Sequence, residues 1–176
     1  MAEPALVRDC VAAMADAVDL PVTVKHRIGI DRTESYEFVR DFVGEVARGG
    51  SRVFIVHARN AWLQGLSPKE NRELPPLRYG FAHRLKIDFP ELTIVLNGGL
   101  SSMAACQAHL APLEGLHPAD AAPATPDLVP PLDGAMLGRE AYHNPWALAG
   151  VDPILFGVPA PLPDRGAVVD ALAAYA

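Results

Sequence analysis

Four short apolar runs along this chain each stop abruptly at a polar cluster, and each cluster leads into a segment with helical spacing. The runs are Val22-Thr23-Val24, stopped by Lys25-His26-Arg27; Arg52 to Val56, stopped by His57-Ala58-Arg59; Leu92 to Leu96, stopped by Asn97-Gly98-Gly99; and Asp133 to Leu137, stopped by Gly138-Arg139. Strand, polar tip and helix in series predict βα units feeding a parallel sheet. An open doubly wound sheet is one solution. A barrel is favoured, because polar residues gather at the C-terminal end of every run and the last two tips are glycine-containing turns that suit a phosphate.

The helices are predicted from spacing. Leu6, Val7, Cys10, Val11, Met14 and Val18 recur at three- and four-residue intervals and predict a helix over 3–18. Tyr36, Phe38, Val39, Phe42, Val43 and Val46 mark the buried side of a helix over 35–48, ended by Gly49-Gly50. Further helices are expected over 79–88, over 101–110 with Ser101 as the cap, and from about Asp164. The nearly unbroken apolar run at 52–56 predicts a strand covered on both faces. Between Ala111 and Pro131, six prolines and several alanines interrupt any periodicity, which predicts a flexible insertion without an element of its own.

Composition narrows the function only by exclusion. At 176 residues, 50% hydrophobic and 20% charged, the chain is globular and long enough for one sizeable core. Cys10 and Cys106 have no metal or redox spacing and sit within helical segments, so a reduced, cytoplasmic protein without an activated thiol is expected. No stretch approaches a membrane-spanning length, and Met1-Ala2-Glu3-Pro4 lacks the basic flank and apolar core of a signal peptide. The net charge of −6 disfavours nucleic acid, yet Arg59, Lys69, Arg72, Arg78, Arg84 and Lys86 outnumber Glu70 and Glu73 between His57 and Lys86. A solvated basic face is the plain alternative.

Each polar tip has a functional and a structural reading. Lys25 at a barrel mouth would stabilise negative charge on a bound ring such as a reduced flavin, or would simply be solvated. His57 would donate to a cofactor, or be satisfied by backbone. Asn97-Gly98-Gly99 permits close approach of a phosphate and also suits any tight turn. Gly138-Arg139, a bare turn beside a guanidinium, is the strongest phosphate signal. The connection from Asn60 to Arg78 is long, and function concentrates in long structured loops. Within it Trp62 either stacks on a nucleobase or anchors the loop. Tyr142, His143 and Trp146 are expected to pack the helix after Arg139 against the next domain. Asp31, Glu34, Glu70 and Glu73 show no spacing for a metal or an acid/base pair and read as exposed loop charges.

Four stretches taken together closely resemble the A-type tRNA-dihydrouridine synthases. They are Val24-Lys25-His26-Arg27-Ile28-Gly29-Ile30-Asp31, the run from Val56 through His57-Ala58-Arg59-Asn60-Ala61-Trp62 to Asn71-Arg72, Asn97-Gly98-Gly99, and Gly138-Arg139-Glu140-Ala141-Tyr142-His143-Asn144-Pro145. The resemblance runs from Met1 to about Gly157. It implies an FMN-binding (β/α)8 TIM barrel followed by a small helical domain, reducing uridines of the tRNA D-loop with NADPH. Residues 1–157 would be the C-terminal half of that barrel, four βα units with a 111–131 insertion longer than the family connection. Residues 158–176 would be the truncated start of the helical domain.

The resemblance also implies roles. Lys25 would lie against the flavin ring and His57 would contact the cofactor. Asn97, Gly98, Gly99, Gly138 and Arg139 would hold the FMN phosphate and ribityl chain, while Lys69 and Arg72 would touch tRNA. No metal is implied. In the family, reduced FMN passes a hydride to C6 of the uracil and a cysteine protonates C5. That cysteine sits in an Asn-x-Gly-Cys-Pro motif that this sequence does not contain, and Cys10 does not match it. The first four strands and the catalytic cysteine are therefore expected to be missing, and a half barrel with two open sheet edges would self-associate. The alternatives are a non-catalytic fragment that binds phosphate or RNA weakly, and another FMN barrel oxidoreductase acting on a small molecule.

Overall fold

A computed structural model describes residues 1–159 and 164–175. The sheet that organises it has four parallel strands, β1 (Thr23–Arg27), β2 (Val53–His57), β3 (Thr93–Asn97) and β6 (Gly134–Met136), neighbouring in that order. Helices α1 (Pro4–Ala17), α2 (Tyr36–Ala47), α3 (Tyr79–Asp88), α4 (Met103–Leu110) and the short α5 (Arg139–His143) precede or follow the strands. A two-stranded antiparallel ribbon, β4 (Leu113–Glu114) and β5 (Leu128–Val129), lies between α4 and β6. The chain then runs through α6 (Val151–Leu155) to α7 (Arg165–Tyr175). The Pro-rich stretch at 159–163 falls mostly outside the described residues.

The first three βα connections return to one core. Phe54, Val56, Ile94 and Leu96 alternate onto a single sheet face and are fully buried against Val39, Val43 and Val46 of α2, Ala82 and Leu85 of α3, and Cys106 of α4. The expectation that β2 is covered on both faces is therefore corrected. Its other face, with Val53, Ile55 and His57, stays half-buried, because α2, α3 and α4 all feed the one cluster. An apolar run alone cannot report which of its faces a helix covers.

Helix entries follow side-chain chemistry. Ser35 opens α2 by accepting a hydrogen bond from the Phe38 N–H at 3.2 Å. At α4 it is Ser102, not Ser101, that caps: its extended backbone lets Oγ accept from the Ala105 N–H at 3.1 Å. The 111–131 segment is likewise corrected from a structureless insertion. Leu113 pairs with Val129, Val129 and Leu132 are buried, and Asp120, 6% exposed, accepts from Arg78 Nη1 at 3.2 Å. Proline excludes a helix interior but tolerates turns and edge strands, so the composition ruled out less than it suggested. Next to it His83 Nε2 and His109 Nδ1 share a hydrogen bond of 3.1 Å.

His143 at the end of α5 and Trp146 beyond it line an apolar groove with Val168 and Val169 of α7, and the Arg165 guanidinium lies 4.6 Å from the Trp146 ring centroid. Tyr142, expected to pack toward the next domain, is 85% exposed on α5. No helix among the described residues is long and apolar enough to cross a membrane.

Candidate functional site

Parallel register places the four polar tips side by side. Arg27, His57, Asn97 and Met136 are mutual partners across the sheet, so β1, β2, β3 and β6 end level with one another. Lys25, Arg27, His57 and Asn97 thus belong to the ends of their strands and not to the loops beyond them, as the sequence suggested. Above this row opens a cavity of about 560 Å³, lined by Lys25, Arg27, His57, Asn97, Gly98, Gly99, Gly138 and Arg139 together with Arg72, Met136, Glu140 and His143. Every residue proposed from the sequence for the cofactor lines it.

One side-chain chain ties three strands together at the floor. Lys25 Nζ donates to Asn97 Oδ1 at 3.0 Å, and Asn97 Nδ2 donates to the Met136 carbonyl at 2.8 Å. Burial, with the nearby Arg27 adding to it, lowers the Lys25 ammonium from its usual range. Arg27 is lowered by burial and then by Arg59 and Arg72. His57 is held down to about 4, first by burial and then by Arg27, Lys25, Arg59 and Arg139, so its ring is neutral near pH 7. Among the described residues its imidazole makes no hydrogen bond, which leaves one ring nitrogen to donate and the other to accept. Cations that depress one another, with Glu140 as the one acid on the lining, describe a cavity whose field favours an anion.

The opposite wall is glycine by necessity. Gly98 and Gly99 have φ of +106° and +69°; a Cβ at Gly98 would come within 2.5 Å of His57 Cδ2, and one at Gly99 within 2.7 Å of Leu77 Cδ1 and 2.9 Å of Tyr79 Oη. Tyr79 locks the turn by donating to the Gly98 carbonyl at 2.8 Å. Gly138 differs: a Cβ there would meet no protein atom within 4 Å, so its backbone faces open space at the rim. Arg139 stands next to it and donates to Glu73 Oε1 at 2.6 Å.

That ion pair joins the cavity to the long loop after β2, which is fastened at several points. Arg27 Nη1 donates to the Asn60 and Asn71 carbonyls, both at 2.8 Å. Asn71 in turn grips the Trp62 backbone: its Oδ1 accepts from the Trp62 N–H at 3.0 Å and its Nδ2 donates to the Trp62 carbonyl. Asp31, at φ 50°, accepts from the Leu63 N–H at 2.7 Å, and Glu34 accepts from Asn60 Nδ2 at 3.0 Å. Glu70 accepts from the Ser67 N–H at 2.8 Å and opens the 3₁₀ turn Glu70–Arg72. Asp31, Glu34, Glu70 and Glu73 are therefore structural fasteners and not simply exposed loop charges. Of the two basic residues expected at tRNA, Arg72 lines the cavity and Lys69 is exposed outside it.

Sequence reasoning passed over Arg27 and Asn71 as site residues. Arg27 had a signal, since it comes two residues after Lys25 and strand alternation puts both on one face. Asn71 had none, because its partner Trp62 is identified only by the path of the loop. Among the described residues no group of three or more His, Cys, Asp or Glu is placed to hold a metal.

A parallel α/β sheet whose level strand ends carry a lysine, a neutral histidine and glycine turns in a cationic cavity agrees with the likeness to known proteins. Residues 1–171 match the dihydrouridine synthase (Dus) family, and the chain belongs to it. It is 55% identical over 175 residues to the tRNA-dihydrouridine(20/20a) synthase of Pseudomonas putida, covering 99% of this chain and 46% of that protein. The protein of the same name from Pseudomonas aeruginosa is 56% identical over 161 residues, 92% of this chain and 43% of its own. That from Vibrio parahaemolyticus is 51% identical over 176 residues, 99% and 48% respectively. The chain spans about half the length of these relatives.

Proposed function

We propose that this chain supplies four βα units of an FMN-binding (β/α)8 barrel that reduces uridine to dihydrouridine in tRNA, with NADPH as the reductant and the cytoplasm as its setting. Residues 1–157 belong to the barrel in this reading, and 158–176 begin a helical domain. The order β1-β2-β3-β6, in which each strand neighbours the next parallel one, and helices gathered on one sheet face support a barrel arc over a doubly wound sheet. The observation that carries the reading is the convergence of Lys25, His57, Asn97-Gly98-Gly99 and Gly138-Arg139 on one cationic cavity.

The residues fit an anionic, planar cofactor. Bound FMN would supply the hydride chemistry. Lys25, aimed by Asn97, would hold positive charge beside the ring, and neutral His57 would offer it a hydrogen bond. The Gly98-Gly99 turn and the open backbone at Gly138 would allow the phosphate to approach closely, and Arg139 would pair with it. Arg72 at the rim and Lys69 beyond it hold the phosphates of the tRNA. No cysteine lines this cavity: Cys10 is exposed on α1 and Cys106 is buried in α4. If a cysteine protonates the uracil, as the resemblance implies, neither Cys10 nor Cys106 is placed at this cavity to do so.

Titrating the chain into FMN and following the quenching of flavin fluorescence tests the assignment. Arg139→Ala should weaken binding about tenfold or more, as expected for a lost charge-assisted hydrogen bond, and Lys25→Ala should weaken it as well. Equal FMN affinity in the parent and both variants would overturn the reading.

A further inference from the structure

We propose that Trp62 is a stacking platform for an unpaired nucleobase of single-stranded RNA, in a second cavity beside the basic loop; this rests on the reading of that loop as an RNA contact. The cavity measures about 880 Å³ and is lined by Trp62 and Phe38 with Asp31, Arg32, Thr33 and Gln64. Two aromatic rings and a rim of donors and acceptors are what a splayed base needs, a π-face to stack on and polar groups for its edge.

The plain alternative, a tryptophan that anchors the loop by its ring, does not match the contacts. A purely anchoring indole would be buried, whereas Trp62 is half-buried and keeps part of its surface open to the cavity. Among the described residues its ring forms no aromatic or cation–π pair, while Trp146, the other tryptophan, is covered by Arg165. The backbone of Trp62 does the fastening. Asn71 holds both its N–H and its carbonyl, and Arg27 holds Asn71.

Asn71 lies between Lys69 and Arg72, so the same grip that fixes the Trp62 backbone fixes the basic pair. The indole and the two cations are presented as one unit, with Arg72 facing the first cavity and Trp62 the second. Phosphate contacts beside an aromatic platform are how single strands are held without sequence readout. Asp31 Oδ1 is committed to the Leu63 N–H, which leaves Oδ2 as an acceptor toward the cavity alongside the Thr33 hydroxyl and the Gln64 amide.

The chain has two tryptophans, so Trp146→Phe isolates the emission of Trp62. Titrating that variant with oligouridylate and with unmodified tRNA at low salt should quench Trp62 saturably. In parallel, anisotropy of labelled RNA should show Trp62→Ala binding about fivefold or more weaker with an unchanged salt slope, and Trp62→Phe retaining most of the affinity. Lys69→Ala with Arg72→Ala should lower the slope by about 1 for each lost phosphate contact. If that double variant keeps the parent affinity and slope, the RNA reading of the loop fails. If it weakens binding while Trp62 emission stays constant and Trp62→Ala binds like the parent, stacking fails and the RNA reading stands. Absence of any RNA binding overturns both.

Discussion

Lowering the pH from 7.5 to 5 should cost this fold about 2 kcal/mol through His26 alone. His26 sits in β1, 7% exposed, with its ring centroid 5.2 Å from that of Phe42 and 6.0 Å from that of Phe54. Its Nδ1 lies 2.7 Å from the Arg27 carbonyl and is the donor, while Nε2 is buried without a partner. Burial is the main cause that pushes its pKa from 6.5 down to about 4; the bond to Arg27 opposes the shift and Lys25 adds to it. Between those two values the unfolded chain binds more protons than the folded one. Stability is therefore full above the unfolded value and falls as the pH drops toward the folded one. At pH 5 the unfolded imidazole is almost wholly charged and the folded one almost wholly neutral, which gives the ~2 kcal/mol. Urea unfolding followed by circular dichroism at pH 7.5 and 5 measures it. His26→Asn, which removes the titration and keeps a donor for Arg27, should shrink the pH-dependent loss by about that amount. An identical loss in parent and variant would refute the assignment. His57 and His83 shift in the same direction and add to the total in both proteins.

Two further perturbations separate stability from binding. Gly99→Ala should destabilise by about 1–3 kcal/mol, because its backbone is left-handed and its Cβ would strike Leu77 and Tyr79. Gly138→Ala meets no protein atom and should leave the melting temperature unchanged while weakening FMN binding; thermal unfolding beside flavin titration checks both, and a stability loss at Gly138 equal to that at Gly99 would contradict the geometry. Glu73→Gln should free Arg139 and tighten FMN or inorganic phosphate about two- to fivefold, the range of an exposed ion pair. Weaker binding in that variant would show that Glu73 orients Arg139 productively and does not compete for it.

Much of the site was legible because the decisive signals were local. Lys25, His57, Asn97-Gly98-Gly99 and Gly138-Arg139 each end an apolar run, and a parallel strand followed by a helix must end where its loop begins. What remained hidden depends on residues far apart in sequence. Arg27 reaches Asn71 across 44 residues, and Arg139 reaches Glu73 across 66. Nothing in the spacing of either pair selects its partner. The Pro-rich segment failed for a related reason: its order comes from Asp120 under Arg78 and from Val129 and Leu132 in the core, contacts that composition does not encode.

By itself, then, the sequence determined the alternation of strands and helices, the positions of the glycine turns, and the residue types delivered at each tip, since all of these arise from dihedral preference and short-range periodicity. Only the tertiary structure decided that the tips end level, that one sheet face is covered while the other carries Lys25, His57 and Asn97, and that the long loop is tied to β1 by Arg27. Parallel register across long crossovers and hydrogen bonds between distant segments are properties of the packed chain, where burial and partner geometry, not local propensity, set the energy.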